Sequence, residues 1–358
     1  MAKVKNSGKQ PTAISLFSGA GGMDVGFSRA GFRILWANDF DKDACNTFRA
    51  NHGSIIEYGK IQDFVKKLKD YKGADIVFGG PPCQGFSVAG KMDPTDERSK
   101  MVFSFMDVVE TVNPRAFVLE NVKALGALEK WGLVREKLFK RAADLGYKFR
   151  QILILNSSEF SVPQKRERMF FIGLKEPKGI NELVGIRSYL DKYKSIPPTV
   201  GEIIRKLGKA GTDSNPWTCN AKITIATSPI LRKSPYAGMM FNGAGRPIDP
   251  NGYANTLPAS MGGNKTPIVD EAQIFDGKLG WVEKYHKTLM NGGKALDFQV
   301  APKQLRRITL KEAVAIQTFP ENYKFIGGTN SIYKQIGNAV PCNMAFAVAS
   351  VVKEILEK

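Results

Sequence analysis

A cysteine between two prolines and a glutamine is hard to account for as packing. In GGPPCQGFSVAGK, residues 79–91, Cys83 follows the apolar run DIVF, so the loop begins where a buried strand should end. Pro81-Pro82 stiffens the approach, while Gly85 and Gly90 leave the following segment free to close. This suits a nucleophile held still, although a cysteine at large is more often a packing residue. The run AFVLENV, residues 116–122, ends in a carboxylate, Glu120, whose burial costs free energy unless it has a partner or a task. QKRERMFFIG, residues 164–173, sets Arg166 and Arg168 two apart ahead of another apolar run, so period-two alternation turns both toward one cleft. A surface salt bridge would explain either of these last two motifs taken alone.

Two further motifs suit a nucleoside ligand. FSGAGGMDVGF, residues 17–27, is a glycine-rich turn after the run AISLF, and such a turn lets backbone approach a ligand. It is not the dinucleotide fingerprint GxGxxG, because Gly19 and Gly21 fit but the third position is Asp24. About twenty residues on, RILWAN leads into Asp39-Phe40: an acidic side chain suited to ribose hydroxyls beside an aromatic that can stack on adenine.

These residues must be positioned by strands. AISLF, RILWAN, DIVFGG, AFVLEN, QILILN and MFFIGL read as strands, and segments such as 103–112 and 133–145 read as helices. That alternation predicts an α/β fold, an open, doubly wound, mostly parallel sheet whose ligand site lies at the carboxyl ends of the strands. After about Lys175 the texture turns to Gly, Pro, Asn and Thr, which predicts a second, smaller, loop-rich domain with Trp217, Phe241, Tyr253, Trp281 and Tyr285 as material for its core. The boundaries expected are 11–177 plus 323–358 for the first domain and 178–322 for the second. The closing run NAVPCNMAFAVASVVKEILEK is expected to be an amphipathic helix that returns to the first sheet.

The net charge is +18. Residues 1–177 carry 28 basic and 20 acidic side chains and residues 178–358 carry 24 and 14, so the excess runs through the whole body. A polyanion such as nucleic acid is the first partner that this implies, and a lysine-rich soluble surface is the plain alternative. The four cysteines lie far apart and there are two histidines, so no metal site is expected. No run of 18 apolar residues and no signal-peptide core is seen, which predicts a cytoplasmic protein with reduced thiols and no membrane association.

In order and spacing the motifs FSGAGG, DFDK (39–42), GPPCQGFS, ENV (120–122), QKRER, RRITLKEAVAIQTFP and QIGNAVP make the chain resemble the DNA cytosine-5 methyltransferases over nearly all of residues 12–350. The resemblance implies the Rossmann-like fold of S-adenosyl-L-methionine-dependent methyltransferases, that cofactor, and double-stranded DNA as partner of a monomeric enzyme of the bacterial type II restriction–modification kind. It implies Cys83 as nucleophile, Glu120 at the cytosine amino group and ring nitrogen 3, Arg168 at the carbonyl oxygen and Arg166 ordering the site. Phe17, Ser18, Gly19, Ala20, Gly21 and Gly22 would surround the methionine moiety, with Asp39 on the ribose, Phe40 on the adenine, and Ile61 and Pro82 lining the pocket. Asn338 and Ala339 belong to the motif that returns to the cofactor site.

Gln84, Ser87, Thr256, Gly262 and Gly263 would contact DNA, the last three within a target-recognition region spanning 178–305. Many relatives carry an aspartate where this chain has Lys60, and a lysine cannot accept the adenine amino hydrogen bond. One branch of the family methylates a transfer RNA and has a short recognition region; the long one here points to DNA. The presence of Cys83, Glu120 and Arg168 argues against an inactive DNA-binding relative.

Overall fold

The computed structural model describes residues 10–82, 100–180 and 185–358. The chain forms two compact units, the first comprising the described residues as far as Asn156 with Glu167–Lys194 and Cys342–Lys358, the second Ser157–Arg166 and Ser195–Pro341.

In chain order, the first unit opens with β1 (Thr12–Leu16), α1 (Gly22–Arg29), β2 (Arg33–Asp39), α2 (Lys42–His52), β3 (Ile56–Tyr58) and α3 (Ile61–Phe64). It continues with β4 (Ile76–Gly79), α4 (Met101–Val112), β5 (Ala116–Val122), α5 (Lys123–Ala127), α6 (Gly132–Asp144) and β6 (Phe149–Asn156). After the short β7 (Gln164–Lys165) of the second unit come β8 (Glu167–Leu174) and α7 (Arg187–Leu190) of the first. The second unit then carries α8 (Val200–Leu207), β9 (Ile225–Ile230), β10 (Met239–Phe241), β11 (Ala254–Asn255), β12 (Ile268–Asp270), α9 (Glu271–Asp276) and α10 (Trp281–Met290). It closes with β13 (Leu305–Arg307), α11 (Leu310–Ile316) and α12 (Thr329–Asn338), and α13 (Cys342–Leu356) ends the first unit.

The first unit is built on a seven-stranded sheet of order β3-β2-β1-β4-β5-β8-β6. Strands β1 to β5 pair in parallel, and β8 runs antiparallel to both β5 and β6. From β1 the chain winds outward to β2 and β3, then crosses back to β4 and β5, so the switch point lies at the carboxyl ends of β1 and β4. The central strands are apolar on both faces because helices cover both; β4 is buried throughout and β5 at every position but its last. Phe27 of α1 stacks on Phe78 of β4 at 3.8 Å, and Phe117, Tyr147 and Phe171 pack edge-on across the sheet. The expected closing helix is α13. It packs on α1 so closely that a Cβ at Gly26 would lie 2.5 Å from the Phe346 backbone nitrogen. The span Thr329–Leu356 has the length and hydropathy of a membrane crossing, but 72% of its most apolar window is buried inside the protein, as befits core helices.

Both unit boundaries differ from the expected ones. Residues 185–194 stay with the first unit because Ile186 N–H donates to Gln151 Oε1, and Lys192 and Tyr193 bind Glu354 of α13. Conversely, Ser157–Arg166 joins the second unit, where β7 pairs with β11 and Ala254 N–H donates to Pro163 O. The second unit is loop-rich, with two apolar clusters, one around Ile204, Leu257, Ile308, Ile316 and Tyr333, the other around Ile225, Phe241, Tyr285 and Leu305. Trp217 is not in either core: it is 51% exposed, with the Arg306 guanidinium over its ring.

Candidate active site

Four loops of the first unit leave the carboxyl ends of adjacent strands. After β1 the chain turns through Phe17, Gly19 and Gly21, all with positive φ (52°, 55° and 86°), before α1 begins at Gly22. Phe17 is strained in that region and the glycines are not. A Cβ at Gly19 would meet nothing within 4 Å, so the turn presents bare backbone to open space. Ser18 N–H donates to Asn38 O, and Gly19 N–H to Asp39 Oδ2 at 2.7 Å, which ties the glycine turn to the end of β2.

Asp39 is buried, and its other oxygen accepts from Asp41 N–H at 2.8 Å. Burial pushes its carboxyl up, against the opposing pull of those N–H donors. The next residue, Phe40, is 60% exposed, as is expected of an aromatic face kept for a planar ligand. Ile61 is buried at the start of α3, and Lys60, beside it, is exposed. A backbone cradle at a helix start, a buried ribose-class carboxylate and a bare aromatic together fit a nucleoside cofactor bearing an amino-acid tail.

At β4 and β5 the chemistry changes. Glu120 is buried, and Arg168 Nε of β8 lies 2.9 Å from its Oε1. Antiparallel β5 and β8 set Glu120 opposite Phe170 and Val122 opposite Arg168, so Glu120 and Arg168 are diagonal neighbours within side-chain reach. A Cβ at Gly80 would come 2.7 Å from Glu120 Oε2, so the carboxylate lies against the turn that leads to the prolines. Asn121 Nδ2 donates to Pro81 O at 3.1 Å and holds that turn in place. Pro82 is half-buried; Cys83, Gln84 and Ser87 lie outside the described residues.

The other three cysteines, Cys45, Cys219 and Cys342, are buried and free. Burial pushes the Cys45 thiol up to about 12 and the Cys342 thiol well above its usual range, so neither is an activated nucleophile.

The two arginines, which their spacing predicts to face one cleft, fall in different units. Arg168 belongs to the first unit, whereas buried Arg166 belongs to the second. There its Nη1 donates to Leu257 O at 3.1 Å and its Nη2 to Gly337 O at 2.9 Å. The strand breaks between them, Gln164–Lys165 pairing with β11 and Glu167 onward with β5 and β6, so alternation does not carry across. Asn338 and Ala339 also lie in the second unit, where Gln317 Nε2 donates to Ala339 O at 3.1 Å. In the same unit Thr256 is exposed with its hydroxyl on Lys165 O, and Gly262 and Gly263 are half-buried in a loop whose Gly262 N–H donates to Thr266 Oγ1 at 2.9 Å.

Three residues escape the sequence reading. Asn38 Nδ2 donates to Glu57 O and Gly59 O and fixes the β2–β3 edge. Gly80 makes room for Glu120; the doubled glycine before the prolines is the signal for it. Asp24, in the first turn of α1, is wholly buried, and neither carboxylate oxygen has a hydrogen-bond partner among the described residues. The Ser15 hydroxyl, 2.9 Å from Ser18 Oγ, pulls the Asp24 carboxyl down, but burial outweighs it. Burial raises the Asp24 carboxyl to about 7.

A seven-stranded sheet of this order with a glycine turn after its first strand defines an S-adenosyl-L-methionine-dependent methyltransferase fold. The model of the C-5 cytosine-specific DNA methylases matches residues 12–354, and the chain belongs to that family, whose methyl donor is S-adenosyl-L-methionine. The Type II methyltransferase M.NgoPII of Neisseria gonorrhoeae is 32% identical over 356 residues, covering 96% of each chain. Type II methyltransferase M1.HphI of Haemophilus parahaemolyticus is 30% identical, covering 95% of this chain and 86% of its own. Among solved structures, the Dnmt2 methyltransferase of S. pombe superposes with a TM-score of 0.66 over 97% of this chain and 98% of its own; at 18% identity this is a likeness of fold.

Proposed function

We propose that this chain methylates carbon 5 of cytosine in double-stranded DNA, with Cys83 as the nucleophile. The observation that carries the reading is the buried Glu120–Arg168 pair, 2.9 Å apart, against the turn that leads into Pro-Pro-Cys. Carbon 5 of cytosine is a weak nucleophile. A thiolate added at carbon 6 makes it enamine-like, and it then takes the methyl group; loss of the carbon-5 proton and expulsion of the thiolate restore the ring. Glu120 holds the amino group and ring nitrogen 3, favouring the protonated ring that accepts attack. Arg168 holds the carbonyl oxygen and keeps Glu120 oriented. Arg166 orders the site by fixing the backbone at Leu257 and Gly337.

S-adenosyl-L-methionine supplies an electrophilic methyl group on a sulfonium. Phe17, Ser18, Gly19, Ala20, Gly21 and Gly22 would hold its amino-acid end, Asp39 its ribose, and Phe40, Ile61 and Pro82 its adenine, with Asn338 and Ala339 completing the site. The first unit is read as the catalytic one. The second is read as the one that selects the sequence, with Thr256, Gly262 and Gly263 near the bases and Gln84 and Ser87 contributing from the cysteine loop. The target base is inaccessible in a duplex and must be flipped out. The two relatives by sequence named above are bacterial Type II methyltransferases, and the chain is read as a monomeric cytoplasmic enzyme of a restriction–modification system.

The test is transfer of label. With radiolabelled S-adenosyl-L-methionine, duplex DNA should become labelled at 5-methylcytosine and transfer RNA should not; label in transfer RNA alone would overturn the reading.

A further inference from the structure

Asp39 and Glu120 are buried carboxyls with tasks in the reading above; Asp24, the third among the described residues of the first unit, has none. It is wholly buried in the first turn of α1, directly behind the glycine turn. Ser15 of β1, Asp39 of β2 and Cys342 of α13 face it, and none of them is a cation. Arg29, on the same helix as Asp24, donates to Asn343 Oδ1 at 2.7 Å. Burial pushes the Asp24 carboxyl up to about 7; the Ser15 hydroxyl and Asp24's own N–H pull it down, and Asp39 adds to the rise.

A line of hydroxyls leads outward from this carboxyl. Ser15 Oγ lies 2.9 Å from Ser18 Oγ, and Ser18 is half-buried beside Gly19, where the backbone opens to space. A buried carboxylate without a counter-charge is costly, and a cation brought to it removes that cost. S-adenosyl-L-methionine brings an α-ammonium on its amino-acid end.

We propose that Asp24 is a positioning residue for the cofactor: when ionised it is the counter-charge of the α-ammonium, acting through Ser15 and Ser18. This rests on the placing of the amino-acid end at the glycine turn. With Asp24 ionised, Ser15 donates to it and Ser18 donates to Ser15, so Ser18 turns its lone pairs outward to accept an ammonium N–H. With Asp24 neutral, the line loses that polarity. The empty site therefore holds a proton on Asp24, and binding of the cofactor releases it to solvent.

The test is calorimetry on the full chain with two probes. S-adenosyl-L-homocysteine keeps the ammonium; 5′-methylthioadenosine keeps the nucleoside and thioether and has no ammonium. Wild type should bind the first probe about fivefold more tightly at pH 7 than at pH 6, and at pH 6 should release close to one proton more with it than with the second. Proton release is read from buffers of different ionisation enthalpy. Any proton that the ribose moves at Asp39 is common to both probes, so the difference between them reads Asp24. Asp24→Asn has the shape of the protonated carboxyl and should melt like wild type at pH 6. It should remove the difference in proton release and weaken the first probe about tenfold or more at pH 7, with the second unchanged. Equal pH dependence and proton release for the two probes, with the first still the tighter, would overturn the role of Asp24, as would a difference that survives in Asp24→Asn. Two probes bound equally tightly by wild type at pH 7 would instead overturn the placing of the amino-acid end beneath it.

Discussion

Asp24 is a buried carboxyl under the glycine turn, and its proton should be visible in stability. Its folded pKa of about 7 lies above the ordinary value of 3.8, so the folded state holds the proton more tightly. The associated stability is full below about pH 4 and is lost as pH rises through about 7, up to on the order of 4 kcal/mol. Asp24→Asn cannot ionise, so its stability relative to wild type should increase between pH 5 and pH 8. Urea denaturation at the two pH values measures this, and a constant gap would contradict the assignment. At this scale the sequence was legible where a residue type was improbable for packing: Glu120 at a strand end does have a partner. Alternation alone does not reveal the break between Lys165 and Glu167, which assigns Arg166 and Arg168 to different units. Asp24 reads in the sequence as a failed third glycine, and nothing there signals its isolation.

Among the elements, α11 shows why the run RRITLKEAV has its composition. Thr309 and Glu312 form a capping box at its start. The Glu312 oxygens also accept from Arg306 Nη1 and Nη2 at 2.9 and 2.7 Å and from Asn215 Nδ2 at 2.9 Å, wholly out of water. Glu271, 3.1 Å from Arg306 Nε, is only partly buried and does not replace it. Glu312→Ala should therefore cost about 3–5 kcal/mol, because it leaves a buried guanidinium short of its counter-charge and removes a cap. A denaturation midpoint within error of wild type would contradict that. Six of the seven strands of the large sheet were legible because each is an apolar run of its own; the seventh, β3, is the short Ile56–Tyr58, with Glu57 at its centre, and carries no such run. The small strands of the second unit were not legible, since Ile268–Asp270 pairs with Leu305–Arg307 and Gln164–Lys165 with Ala254–Asn255, partners far apart in sequence. No local pattern announces a two- or three-residue strand made by such a pairing.

For the whole molecule, an α/β sheet with a loop-rich second unit was legible from texture, and the exact boundaries were not, because they are set by side-chain bonds such as Tyr193 to Glu354. The positive charge spread over both halves suits a protein that holds a polyanion while chemistry is done on one base. The central claim is that the chemistry passes through a bond between Cys83 and carbon 6 of cytosine. Fluorine at carbon 5 cannot leave as a proton does, so DNA bearing 5-fluorocytosine at the target should trap the methylated adduct. A denaturing gel should show a protein–DNA band of slower mobility that requires S-adenosyl-L-methionine and disappears in Cys83→Ser. A wild-type protein that methylates ordinary DNA but gives no such band, or a band that persists in Cys83→Ser, would contradict the account.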